Sequence, residues 1–410
     1  MRPATLAFLP LAVVACRGPS ARHEPDTWPD DTGAPQDTDG PDDTGNPPVD
    51  GCRATPQAAD RDRLVVASYP YTSAGGSAHA WQIFTLTVAG ELTSEGVRFD
   101  LGRGYDGRVT FTPDGTIGLA VNDDGTLGAF EVLSAGSVRV IEARYDGGFY
   151  ADSVVADPSG EWAWVVDGNW PENGGGLYRV PIDCEDGSLG AAERVLVAKL
   201  PAHLLWLRGR PERAVLVGRE AGGAPAGDDL FLIEPGSPTE VLGGADAFGD
   251  DEAIFAGAAL SADDTWALVG DNSAFSGISN RVAVVGVGED VLSPWQVLEV
   301  DDPVDILASP WGDSALVVSG YSDAVVVLRA TGEPQAPFEI LGEPDYSGAS
   351  PQLPAAADMV PRGSLRGLVV LSENQGLRRL RFEAGGVADL GLESFGEGLD
   401  YIPGAVGIQP

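Results

Sequence analysis

The chain has three histidines, His23, His79 and His203, and only His203 lies in a run with inner-strand character, Pro201 to Trp206. An imidazole titrates near neutral pH and is suited to taking or giving a proton. Arg108 adds a guanidinium that can hold an anion, and Asp305 adds a carboxylate. Together the three are the candidates for acid–base chemistry; the competing reading is that they are polar side chains that hold water. Other chemistries lack support. There is no H-E-x-x-H, no G-x-S-x-G, no P-loop, no dinucleotide fingerprint and no Cys-x-x-Cys. Three scattered histidines do not make a metal triad. Asp106, Asp152, Asp358 and Asp400 lie close in sequence to the candidate positions and offer at most a cation site. No cofactor is indicated, calcium being the one ion that so acidic a chain would attract.

Arg108, His203 and Asp305 are about a hundred residues apart, so their chemistry depends on the elements that bring them together. The stretch Ser309 to Ala330 (SPWGDSALVVSGYSDAVVVLRA) shows the recurring unit: turn, apolar strand, short polar turn, apolar strand. Further examples start near Phe111, Ala156, Arg208, Leu260 and Val360, which makes six. Their turn residues Pro113, Pro158, Pro211, Ala262, Pro310 and Pro361 are separated by 45, 53, 51, 48 and 51 positions. A period near 50 built from short Val/Leu/Ile strands is that of four-stranded blades, which cannot bury both faces alone and must stack. Leu64 to Pro70 and Trp81 to Val88 read as the second and third strands of a blade lacking its first. The missing strand is found at the other terminus, in LDYIPG at 399–404. The expected fold is therefore all-β, a seven-bladed β-propeller over 52–410 closed by its C-terminus; six or eight blades would require one misread repeat.

Two motifs carry a family resemblance. Thr112-Pro113-Asp114-Gly115 and Asp157-Pro158-Ser159-Gly160 resemble the S-P-D-G turn of YVTN-type and lactonase-like propellers. Pro201-Ala202-His203-Leu204-Leu205-Trp206 resembles the P-x-H-L-x-F with which lactonase-like blades begin their inner strands. The pattern covers about 105–404, with departures at Ala262 and at Arg362-Gly363. Inner strands of such a ring line a central channel, so positions shortly before each turn should ring one mouth: Arg108, Ser153, His203, Gly257, Asp305, Ala356 and Gly398. Trp162, Trp164, Trp206, Trp266 and Phe111 fall on strands and should pack between blades. Trp170 and Tyr321 fall in loops and, with Ser153, are candidates for ligand contact. The polar loops 219–229 and 271–280 are the expected recognition elements.

The N-terminus reads as an address. Residues 1–15 combine Arg2 with the apolar run Ala4 to Val14, the length of a signal-peptide core and too short to span a bilayer. Val13-Val14-Ala15-Cys16 resembles the lipobox of bacterial lipoproteins, with Val13 where leucine is preferred. That resemblance implies removal of the signal and diacylation of Cys16; the alternative is a plain secretory signal that contains a cysteine. Arg17, in place of aspartate, implies the outer membrane over the inner one. Residues 16–51 hold nine acids with Pro, Gly and Thr and cannot build a core, so a disordered acidic tether is expected. Proline interrupts the calcium-loop-like Asp37 to Asp42. Tethers of this composition resemble those of myxobacterial surface lipoproteins. Cys52 and Cys184 remain, to be paired in an oxidising compartment or left as two buried thiols.

A net charge of −37, from 62 acids against 25 bases, repels nucleic acid. The sequence thus supports a monomeric, lipid-anchored envelope propeller. As a non-enzymatic module it would bind an envelope protein or a small extracellular ligand. The alternative is a lactonase-like hydrolase or lyase at the channel mouth, with His203 as base and Arg108 as anion holder; a purely structural surface protein is a third reading.

Overall fold

The computed structural model describes residues 53–410 except 73–76, 105–106, 134–135, 169–173, 224–226, 250–252, 273–279, 334–335, 375, 395–400 and 403. The signal, Cys16, the tether and Cys52 lie outside the described residues. The described residues form seven antiparallel sheets, six with strands in chain order and one that joins C-terminal strands to the first three of the chain. We number them as blades. Blade 1 contains Arg63–Thr72 as its second strand, blade 2 begins at Thr110–Phe111, blade 3 at Ala151–Ala156 and blade 4 at Lys199–Trp206. Blade 5 begins at Phe255–Leu260, blade 6 at Pro303–Ala308 and blade 7 at Ala356–Met359. The seven-bladed propeller expected from the repeat is the fold.

Strand composition follows position in the blade. Second strands such as Ser314–Ser319 and Trp266–Asp271 are buried at every residue, because a neighbouring blade covers each face. They therefore read as continuous apolar runs. Outer strands such as Leu292–Glu299 and Val138–Tyr145 are largely exposed and correspondingly mixed. Among the described residues each of the seven interfaces between neighbouring blades has its own apolar cluster; that between blades 4 and 5, for example, joins Val217 and Leu232 to Val269 and Val285. Edge-on aromatic pairs bridge interfaces as expected for Trp164, Trp206 and Trp266: Trp164 to Trp206 at 5.7 Å and Trp266 to Phe338 at 4.9 Å between ring centres.

The turns after the inner strands explain the Pro-x-Gly signal. In blade 2 the Gly115 N–H donates to the Thr112 carbonyl at 2.7 Å, with Gly115 at φ +69°. Blade 6 repeats this with Gly312 and Ser309 at 3.1 Å. Blade 5, the departure at Ala262, keeps the turn by placing Asp264 in the left-handed conformation at φ +58°. Asp264 compensates by accepting N–H bonds from Arg208 at 3.0 Å and Gly209 at 2.6 Å in blade 4.

Closure joins the two ends of the described chain. Tyr401 and Ile402 pair with Thr72 and Tyr71, and Val406 to Ile408 pair with Ala67 to Val65. The expected segment 399–404 supplies the first piece; the second, longer piece lies beyond it, past Gly404. Cys184 is disulfide-bonded, and its partner lies outside the described residues. Arg53, next to Cys52 in the chain, donates to the carbonyls of Asp183 (3.2 Å) and Cys184 (3.0 Å).

Gly257, one of the expected ring positions, is a glycine for a steric reason. A Cβ there would sit 2.6 Å from the Ile306 nitrogen and closer still to the Asp305 backbone. Gly257→Ala should therefore destabilise the ring by about 1–3 kcal/mol through overpacking, read as a lower urea midpoint at unchanged slope. An unchanged midpoint would show that blades 5 and 6 are less tightly apposed than described.

Candidate functional site

Arg108 stands just ahead of the inner strand of blade 2, bridged through its backbone to Val406 of the closing strand. Its side chain reaches across the channel to blade 6. Nη2 donates to Asp305 Oδ1 at 2.6 Å and Nε to Oδ2 at 3.3 Å, while Nη2 also meets the Ile306 carbonyl. Blades 2 and 6 are not neighbours, so this fork-to-carboxylate pair spans the channel. Asp305 also accepts from the backbone N–H of Ile306 (2.8 Å) and from that of Ala357 in blade 7 (2.9 Å).

The other ring positions behave alike. Ser153 Oγ donates to the Ala202 carbonyl of blade 4 at 2.7 Å. His203 Nε2 bonds to the Ala256 carbonyl of blade 5, which makes Nε2 the protonated nitrogen and leaves Nδ1 as acceptor. Asp358 accepts from Met359 N–H at 2.8 Å and from Ile408 N–H of the closing strand at 2.7 Å. Each of these side chains ties one inner strand to another.

Their electrostatics are coupled. Burial alone would lower the Arg108 pKa, but the charge and hydrogen bond of Asp305 and the charge of Asp358 raise it instead. Burial lowers His203, against the Ala256 bond and the Asp305 charge, so the ring is neutral at pH 7. Burial pushes Asp358 up to about 6, with Arg108 and the two N–H donors opposing. The Arg108 side chain nonetheless keeps 32% of its exposure, against 8% for Asp305, so the guanidinium borders the channel solvent.

The structure thus brings together Arg108, His203 and Asp305, with Ser153 on the same ring of inner strands. Asp358, read from sequence only as a nearby acid, is a full member. Its signal was present: Asp305 follows Pro303-Val304 and Asp358 follows Ala356-Ala357, the same third position of an inner strand. Asp106, Asp400 and Gly398 lie outside the described residues. Ala356 and Gly257 bring no polar side chain. Among the described residues no group of three or more His, Cys, Asp and Glu is placed to hold a metal ion. Tyr321 is 54% exposed, with its N–H on the Asp302 carboxylate. Trp170, residues 224–226 of one recognition loop and 273–279 of the other lie outside the described residues.

No protein-family model matches the sequence, and no curated protein matches it. Solved structures do resemble the fold. A candidate 6-phosphogluconolactonase from Bacteroides fragilis is 13% identical at a TM-score of 0.62, over 86% of this chain and 99% of that one. The periplasmic gluconolactonase of Pseudomonas aeruginosa is 14% identical at 0.61, over 85% and 99%. A protein from Lactobacillus plantarum is 11% identical at 0.58, over 85% and 100%. At these identities the likeness shows the β-propeller fold alone.

Two measurements probe the channel. The Arg108–Asp305 pair should show a coupling of about 1–2 kcal/mol in a double-mutant cycle of Arg108→Met and Asp305→Asn, moderated by the partial exposure of the guanidinium. Additive losses would mean that the two do not meet. Asp358 titrates at about 6 when folded and about 3.9 when unfolded, so it favours the fold fully below pH ~4 and loses that contribution as pH rises through ~6. Asp358→Asn stays neutral and should gain on wild type between those limits and run parallel above them. Urea midpoints across pH read this, and a flat difference would contradict a raised Asp358.

Proposed function

We propose that this chain is a lipid-anchored extracytoplasmic propeller that binds an envelope protein or a small extracellular ligand without transforming it. The observation that carries this reading is the commitment of the channel side chains. Arg108, Ser153, His203, Asp305 and Asp358 each bond to the backbone or side chain of another inner strand. Groups so engaged keep a ring closed and a channel braced; a reacting group needs a free lone pair or proton directed at a substrate.

The anchor half of the proposal rests on sequence: a signal over 1–15, an acylated Cys16 and an extended tether over 16–51, with outer-membrane placement. A Cys52–Cys184 disulfide would fasten the end of that tether to the domain, and the position of Arg53 against Cys184 supports it. Binding falls to the loops, with Tyr321, Trp170 and the segments 219–229 and 271–280 as the contact surface. The surface charge keeps the protein monomeric and away from nucleic acid.

One observation favours the second reading, a lactonase-like hydrolase. Asp358, at about 6, is ionised at neutral pH and able to take a proton from water, His203 keeps Nδ1 as an acceptor, and Arg108 borders the same channel. Two of the similar structures are named as gluconolactonases. In that mechanism water adds to the lactone carbonyl, its proton passes to the base, and the ring C–O bond breaks to give the hydroxy acid.

Lactone hydrolysis separates the two. The full chain should hydrolyse gluconolactone no faster than buffer, followed as acid release at constant pH. Hydrolysis above background that is lost in both His203→Ala and Asp358→Asn would replace the binding reading with the hydrolase.

A further inference from the structure

At the end of the ring away from Arg108, six blades join their first and second strands by a continuous turn. Blade 1 cannot, because its first strand is Val406 to Ile408 and its second begins at Arg63. The gap is stitched by side chains. Arg61 Nη1 donates to Gln409 Oε1 and Nη2 to the Pro410 carbonyl, both at 2.9 Å. Arg63, only 2% exposed, donates to the carbonyls of Ala59 (2.5 Å), Arg362 (3.3 Å) and Gln409 (3.4 Å). Gln409 Nε2 reaches the Gly115 carbonyl at 2.6 Å.

Arg362 comes in from the turn of blade 7, so three guanidinium groups gather at one seam. Their mutual repulsion is felt: burial, then Arg61 and Arg362, bring Arg63 down to about 10. Asp60 is the one acid acting on Arg63, and its Oδ1 already accepts from Ser364 N–H at 2.7 Å. Among the described residues the seam thus gathers three guanidinium groups beside Asp60 and the Pro410 oxygen held by Arg61, in a chain of net charge −37.

The guanidinium of Arg362 is the telling group. Its Nε and Nη2 are both buried and neither has a protein partner; Nε of Arg61 is in the same position. Nε and Nη2 form the edge by which arginine grips two oxygens at once. Arg108 fills that edge with Asp305, Arg378 with Glu373 and Arg329 with Glu339. Arg53, Arg219 and Arg379 leave a buried Nε without a hydrogen-bond partner, but among the described residues only Arg362 leaves both Nε and Nη2 so. A guanidinium whose bidentate edge is buried and unmatched, beside two more cations, calls for an anion with several oxygens.

We propose that the seam between blades 1 and 7 is a phosphate-group binding site, with the Nε/Nη2 edge of Arg362 as its bidentate clamp and Arg61 Nε as a further donor. A tetrahedral oxyanion has enough oxygens for both and adds negative charge beside the three arginines. Because Arg61, Arg63 and Gln409 also close the ring, the bound anion locks the propeller at its joint. The same chemistry serves free phosphate and a phosphorylated headgroup of the surface on which the protein sits.

The test uses the full chain with Arg362→Gln and Arg362→Lys. Arg362 makes no side-chain bond to protein, so in phosphate-free buffer Arg362→Gln should melt no lower than wild type. Inorganic phosphate at matched ionic strength should raise the wild-type Tm by about 2 °C or more, with little shift in Arg362→Gln and a partial one in Arg362→Lys. Flotation with vesicles containing phosphatidic acid is the second arm. A phosphate shift without flotation supports free phosphate as the ligand; flotation of wild type that is lost in Arg362→Gln supports the headgroup. The site is overturned by equal phosphate shifts in all three proteins without differential flotation, by no response in either arm, or by a large Tm loss in phosphate-free Arg362→Gln.

Discussion

Every blade has an apolar face on each side, so each sheet depends on its neighbours and the ring depends on the joint that completes it. That joint rests on Val406 to Ile408 pairing with Val65 to Ala67. Three residues of ladder are weak by themselves, since a backbone hydrogen bond contributes about 1 kcal/mol net. What they make possible is larger. The cluster between blades 7 and 1 includes Val65, Phe84, Leu86, Leu368, Val370, Leu377, Val406 and Ile408, all buried. Each such side chain contributes about 1.5–3 kcal/mol on burial. The closing strand thus acts chiefly as a lid on apolar surface and as the restraint that fixes which faces meet.

The channel is the complementary problem. Inner strands converge there, and where they come closest only glycine fits, as at Gly257 against the Asp305 backbone. Elsewhere polar side chains occupy the space between inner strands. Those side chains bind strand to strand, around the ring for Ser153, His203 and Asp358 and across it for Arg108 and Asp305. A pair whose cation is one-third exposed adds only modest stability, because solvent screens the charge. Its contribution is to orientation: a two-point grip between blades 2 and 6 fixes their relative tilt in a way that a slippery apolar contact does not.

Much of the fold was legible because its period is enforced locally. A turn that needs a positive φ selects glycine, and the residues before it select proline and aspartate, so the blade rhythm surfaces as Pro-x-Gly about every 50 residues. Blade 5 escapes the pattern because Asp264 adopts the left-handed conformation itself. The closing strand was located only approximately, since two short pieces broken near Gly404 carry no apolar run to mark their centre. In the channel, Arg108 and Asp305 stand at equal offsets from their turns. Asp358 is displaced from the offset that selected Ala356, and it becomes visible only when inner strands are aligned on their third residue. The arginine seam has no sequence signal at all: Arg61 and Arg362 lie at opposite ends of the chain and meet through closure.

The distribution of charge bears on any ligand. Of 25 basic residues several are spent inside, among them Arg53, Arg63 and Arg378 at 7%, 2% and 2% exposure. Acids are spent inside as well, among them Asp167, Asp271 and Glu373, so the outer surface keeps the acidic balance of the composition. At physiological ionic strength the screening length is about 8 Å, so an approaching molecule responds to its local surroundings and not to the total of −37. An acidic exterior then discriminates at the loops, favouring basic or neutral partners there. It leaves a recessed arginine cluster able to hold an anion that has already reached it. The two surfaces work in opposite senses because burial separates them: the exposed carboxylates act through solvent, whereas the seam arginines act at contact distance in a medium that strengthens each hydrogen bond. A propeller of this composition can therefore repel polyanions over its face while retaining a single phosphate group at its joint.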